Sequence, residues 1–111
     1  YGHECGDYVL KELAWLFEHF MLDKGYIARW GGEEFLFVFN DKNADDAYIS
    51  LEELRYQIAK KLFSYEGQDF NLTMTFGLEE FSAQAGIDLT VENADKKLYM
   101  GKESGRNRVV Y

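Results

Sequence analysis

The stretch Arg29-Trp30-Gly31-Gly32-Glu33-Glu34-Phe35 decides how this chain is read. Two glycines join two apolar runs, and two acids follow at once. Paired glycines between strand-like runs mark a tight hairpin, because such turns need positive φ at little steric cost. The pattern predicts strands over residues 26–30 and 34–39 around a Gly31-Gly32 turn, with Glu33 and Glu34 at a rigid tip. Carboxylates beside bare backbone that a ligand can approach closely suit a nucleoside triphosphate and its Mg²⁺. Read alone, the stretch describes a solvated hairpin with two surface acids better than it describes a site. The rest of the chain changes that balance.

Upstream of the hairpin, residues 4–22 read as an amphipathic helix. Leu10, Leu13, Ala14, Phe17 and Phe20/Met21 recur at helical spacing, with Lys11, Glu12 and Glu18 off the stripe. Asp23-Lys24-Gly25 ends it, with Gly25 expected as a left-handed cap. Phe35-Leu36-Phe37-Val38-Phe39 is apolar on both faces, as in a central strand covered on both sides.

Downstream, residues 45–64 predict a second helix with Ala47, Leu51, Leu54, Ile58 and Leu62 on one side. Phe70, Leu72, Met74, Phe76 and Leu78 alternate with smaller or polar residues, the pattern of a half-buried strand that continues in a short hairpin through Phe81. Residues 82–89 read as loop, 91–103 as a last helix capped by Gly105, and 106–111 as a final strand. Helix, strand, strand, helix, strand, helix, strand is the order of an α+β sandwich, with helices on a largely antiparallel sheet.

Composition limits the function classes. A chain of 111 residues with 47% hydrophobic and 17% aromatic content is one folded domain and not a disordered segment. The single Cys5 excludes an internal disulfide, and beside His3 it has too few partners for a zinc site. No apolar run approaches the ~20 residues of a membrane span and no signal peptide is recognisable, so direct membrane contact is not expected and a cytoplasmic location is. The net charge of −8 argues against nucleic-acid binding, which needs a basic surface to displace counterions. It also repels a free triphosphate, so a nucleotide substrate would need metal ions and a few fixed cations.

Four short strings in order resemble the GGDEF family, the diguanylate cyclases. The chain opens with Tyr1-Gly2-His3-Glu4-Cys5-Gly6-Asp7-Tyr8-Val9-Leu10, similar to the family's GHxxGDxxL. Gly31-Gly32-Glu33-Glu34-Phe35, preceded by Ala28-Arg29-Trp30, is a GGEEF form of the name motif. Leu72-Thr73-Met74-Thr75-Phe76-Gly77 resembles the family's TxSxG strand. Ala94-Asp95-Lys96-Lys97-Leu98-Tyr99 through Gly101-Lys102-Glu103-Ser104-Gly105-Arg106-Asn107-Arg108 resembles ADxALYxAKxxGRN. Each string is weak alone; four at family spacing are specific.

The resemblance implies a nucleotidyl-cyclase or palm-like (ferredoxin-like) α+β fold and the joining of two GTP molecules into cyclic di-GMP, with release of pyrophosphate. It implies Mg²⁺ or Mn²⁺ as cofactor and a second copy of the domain as partner, since each copy holds one GTP. A sensory or receiver domain upstream is expected. By the same resemblance Gly31 and Gly32 admit the phosphates to the backbone, Glu33 binds the metal and assists deprotonation of the attacking hydroxyl, and Glu34 supports it. Asp7 accepts from the guanine edge, and Lys102 and Arg106 meet the β- and γ-phosphates. Outside the family, Asp7 reads as an acid on a helix dipole and Lys102 and Arg106 as ordinary cations of a helix end. Tyr8, Trp15, Trp30 and Tyr99 read as core or rim residues, not stacking platforms.

Two departures qualify the resemblance. The family's inhibitory Arg-x-x-Asp falls on Leu22 and Gly25, so feedback by that route is expected to be absent. The family's first strand and following turn, DxDxFKxxND, do not occur in these 111 residues. A mid-sheet strand with three inward side chains at ~1.5–3 kcal/mol each is worth roughly 5–9 kcal/mol, against about 5–15 kcal/mol for a whole domain. A chain starting at Tyr1 is therefore expected to be marginal or strand-swapped. By the resemblance it is also expected to be inert, because the metal-bridging aspartate of that segment is missing and Glu33 alone cannot hold two metals. The more natural expectation is that further residues precede Tyr1. The rival readings are a degenerate GTP-binding or dimerisation module of the same fold, and a palm-type polymerase or other cyclase.

Overall fold

The computed structural model describes residues 3–111, so Tyr1 and Gly2 of the opening motif lie outside it. Internal contacts divide the chain into two compact units, one of residues up to Asp41 plus Phe63–Phe70, the other of Lys42–Leu62 plus Asn71–Tyr111.

In the first unit, helix α1 (His3–Met21) places Cys5, Leu13, Phe17 and Met21 on one buried stripe. Strands β1 (Gly25–Gly31) and β2 (Glu34–Phe39) form an antiparallel hairpin with Ile27 opposite Phe37 and Arg29 opposite Phe35. Phe17, fully buried, meets the edges of Phe35 and Phe37 at 5.0 Å between ring centres, which fixes helix to hairpin. A second small hairpin, β3 (Phe63–Tyr65) with β4 (Gln68–Phe70), stacks Phe63 on Phe70 and rests Tyr65 against Tyr8 of α1.

The second unit starts at Asn43, whose Oδ1 accepts from the Asp46 N–H at 2.9 Å and caps α2 (Ala44–Lys60). Ala47, Leu51, Leu54 and Ile58 form its buried face, as their spacing predicts. Strand β5 (Phe76–Gly77) pairs in parallel with β6 (Val109–Val110), and α3 (Gly86–Glu103) lies across them. Gly77 makes that approach possible: a Cβ there would strike the Ala94 carbonyl and the Leu98 amide of α3.

Several expectations are corrected. Instead of one sheet, the described residues form three two-stranded ladders, of which β5–β6 is parallel. Strand β2 is not doubly covered: Val38 is 45% exposed and no β2 residue is fully buried, because β1 is its sole ladder partner among the described residues. Gly25 is not a helix cap but the first residue of β1, at φ 154°, where a side chain would overlap the Val38 carbonyl. Helix α2 stops at Lys60, where Lys61 turns extended and gives its N–H to Ile58. That turn leaves Leu62 exposed and buries Phe63 in a strand. Residues 70–74 keep their alternating burial, yet 71–75 join no ladder, and Phe81 is exposed outside any strand. Helix α3 begins at Gly86, inside the expected loop, because the Ser82 carbonyl accepts from Gly86 and its hydroxyl from Ala85.

Candidate functional site

The turn of the β1–β2 hairpin sits one residue later than the glycine pair suggests. Gly31 pairs with Glu34 and closes the ladder, so the tip is Gly32 and Glu33, with Gly32 at φ 36°. A register shift between Arg29 and Gly31 leaves Trp30 out of the pairing. Arg29 then folds back over the turn, its Nε and Nη2 both donating to the Gly32 carbonyl. Glu33 is thus held at an exposed tip and Glu34 beside it at the first ladder position, and among the described residues neither carboxylate has a partner. Around Gly31 and Gly32 the space a Cβ would fill is open, so bare backbone faces outward at both.

Beside the hairpin, α1 and β1 enclose a cleft of about 220 Å³. Asp7, Leu10 and Lys11 line it from the helix, Ile27 and Arg29 from β1, and Phe35 from β2. Its lining is mixed: Leu10, Ile27 and Phe35 are apolar, while Asp7, Lys11, Glu18 and Arg29 carry charge. Apolar walls with a few polar groups are what small-molecule sites use. Asp7 is exposed and not a buried acceptor, because it lies in the second turn of α1 off the stripe that faces the hairpin. Arg29 was missed as a site residue; its signal was a lone cation three positions before the second glycine.

Lys102 and Arg106 belong to the second unit. Lys102 is in the last turn of α3, and Arg106 lies beyond its cap at Ser104. Both are exposed, and among the described residues nothing bonds the head group of either. They project from one short segment, a pair of cations at the end of a helix.

Metal donors are sparse. Among the described residues no three His, Cys, Asp or Glu side chains gather to hold a metal by themselves. Glu33 and Glu34 suit Mg²⁺ nonetheless, since that ion keeps its waters and is commonly held by one or two carboxylates plus substrate phosphates. No described helix is long and apolar enough to cross a membrane.

The hairpin, its acidic tip and the cation pair coincide with a family match: the model described as diguanylate cyclase, GGDEF domain, covers residues 1–108. The chain belongs to the GGDEF family. It is 36% identical over 110 residues to diguanylate cyclase A of Treponema denticola, covering 98% of this chain and 30% of that protein. It is 30% identical to diguanylate cyclase DosC of Escherichia coli K12, over 98% of this chain and 24% of that one. This GGDEF chain therefore spans less than a third of either relative.

Solved structures agree. The GGDEF domain of DgcB from Caulobacter crescentus, in complex with c-di-GMP, superposes with a TM-score of 0.93 at 30% identity, over 99% of this chain and 66% of that one. The active GGEEF domain of a diguanylate cyclase from Vibrio cholerae gives 0.84 at 30%, over 99% and 70%. The expected α+β, palm-like fold is thus the fold of this GGDEF chain, with its sheet divided into short ladders.

Proposed function

We propose that residues 1–111 are one diguanylate cyclase domain of a longer protein, condensing two GTP into cyclic di-GMP. Each of two equivalent steps forms a bond from a ribose 3′-oxygen of one GTP to the α-phosphorus of the other and expels pyrophosphate. The fastened Gly31-Gly32-Glu33-Glu34 turn, with its free carboxylate tip beside a cleft lined by Asp7, is the observation that carries this reading.

Asp7, at the cleft, accepts hydrogen bonds from the guanine edge. Gly31 and Gly32 admit the phosphates to the backbone, since no side chain stands in the way. Glu33 holds the metal and takes up the 3′-hydroxyl proton, with Glu34 in support. Magnesium or manganese, when bound, neutralises phosphate charge and lowers the pKa of the attacking hydroxyl. Lys102 and Arg106 bind the β- and γ-phosphates and offset the negative balance of the chain. Ring closure needs two bound GTP, so the partner is a second copy of the domain. A cytoplasmic signalling protein with an upstream sensory domain is the setting this implies.

The test is the full-length protein incubated with GTP and Mg²⁺, with products separated by chromatography. Cyclic di-GMP and pyrophosphate are expected from the native protein and not from Glu33→Ala. No product from the native protein, or undiminished product from the variant, would overturn the reading.

A further inference from the structure

Three successive residues after α3 have left-handed backbone: Gly105 at φ 117°, Arg106 at 62° and Asn107 at 49°. Glycine adopts this freely and asparagine readily, but arginine does so against its preference. Such a conformation persists only where its surroundings over-determine it.

Here they do. The Arg106 N–H donates to the Gly101 carbonyl at 2.9 Å, and the Arg106 carbonyl accepts from Arg108 Nε at 3.0 Å. The Asn107 N–H donates to Thr75 Oγ1 at 3.0 Å. The Asn107 side chain is held from another element: Arg55 of α2 donates Nη1 to its Oδ1 at 2.7 Å. Arg55 is itself oriented by Glu52, which accepts from Nε at 3.0 Å and Nη2 at 2.8 Å. The turn is thereby tied at the Arg106 backbone and at the Asn107 amide and side chain, and the exposed Arg106 guanidinium has no partner among the described residues.

We propose that Arg55, oriented by Glu52 and acting through Asn107, is a positioning residue that locks this turn and so aims Arg106 at the phosphate tail of the nucleotide. The inference rests on the phosphate role of Arg106 proposed above. Arg55 touches no substrate; it fixes the backbone from which the phosphate ligand projects. Orientation of a ligand by a rigid supporting contact is how such sites reach useful geometry.

The test is a set of variants in the full-length protein, with affinity for the α-thiotriphosphate analogue of GTP measured in Mg²⁺. Arg55→Ala and Asn107→Gly are each expected to weaken binding about tenfold. The glycine keeps the left-handed φ available, so Asn107→Gly should fold, and its melting temperature, measured beside the native chain, guards against a trivial folding defect. In an Arg106→Ala background neither change should weaken binding further, and Arg55→Lys should not restore the native affinity. A contact serving only stability would weaken binding equally with and without Arg106, and that result overturns the inference. Native affinity in Asn107→Gly also overturns it. If Arg106→Ala alone binds as tightly as the native protein, the phosphate role and the inference fall together. If Arg106→Ala binds weakly while Arg55→Ala binds normally, the inference falls alone.

Discussion

Arg29 fastens Gly32: its Nε and Nη2 both donate to the Gly32 carbonyl oxygen, at 2.9 and 2.6 Å. A forked bond from one planar cation to one carbonyl fixes the turn that carries Glu33. Arg29→Ala is expected to lower stability by only about 1 kcal/mol, the usual net value of such a bond. Arg29→Lys should lose nearly as much, because an ammonium cannot reproduce the fork. Cyclic di-GMP output should fall by tenfold or more in both. Melting temperature and turnover measured together check this; full activity in either variant would separate the fork from the tip.

Gly77→Ala tests the seat of α3. The added methyl would meet the backbone of Ala94 and Leu98, and backbone cannot swing aside as a side chain can. Overpacking of this kind costs about 1–3 kcal/mol. A urea midpoint unchanged from the native chain would show that the helix is free to lift.

Asn43→Ala should cost about 1 kcal/mol by removing the cap on α2. Asn43→Asp should keep most of it, since a carboxylate accepts the same N–H and favours the positive end of the helix. Denaturant midpoints of the two variants make the comparison.

The Glu52–Arg55 pair gives an acid-side signature. The hydrogen bonds from Arg55 hold the Glu52 carboxyl below its usual 4.5, partial burial opposing them. A lowered folded pKa contributes stability that is complete above about 4.5 and is lost as pH falls through the folded value. Glu52→Gln should therefore be less stable than the native chain at neutral pH, by about 1 kcal/mol at most for a partly exposed pair. The difference should vanish well below pH 4.5, which urea melts across that range would establish.

Much of this was legible in the residues. Helical stripes such as Leu13/Phe17/Met21 and Ala47/Leu51/Leu54/Ile58 read correctly because burial follows a period that single residues cannot disturb. Boundaries failed where one backbone hydrogen bond decides them: Lys61 to Ile58 ends α2 four residues early, and Ser82 starts α3 inside a polar stretch. The continuous strand expected over residues 70–78 failed differently. Alternation reports which side chains are covered, whereas a ladder needs a neighbouring backbone, and 71–75 have none among the described residues. Of the site, the acids and glycines were visible as a motif. The fork of Arg29 and the brace of Arg55 were not, because an arginine's partner is chosen by the fold, from three or from 52 positions away.

That difference in reach has a thermal consequence. The acidic tip is tied by a neighbour three residues off and needs little more than its own hairpin to keep its form. The arginine turn depends on ties spanning 32 and 52 residues, so it shares the fate of distant parts of its unit. Regions held by remote contacts open whenever those parts fluctuate. On warming, such a domain should lose its hold on the triphosphate end while its carboxylate tip is still in shape, a failure seen as rising KM well before the protein melts.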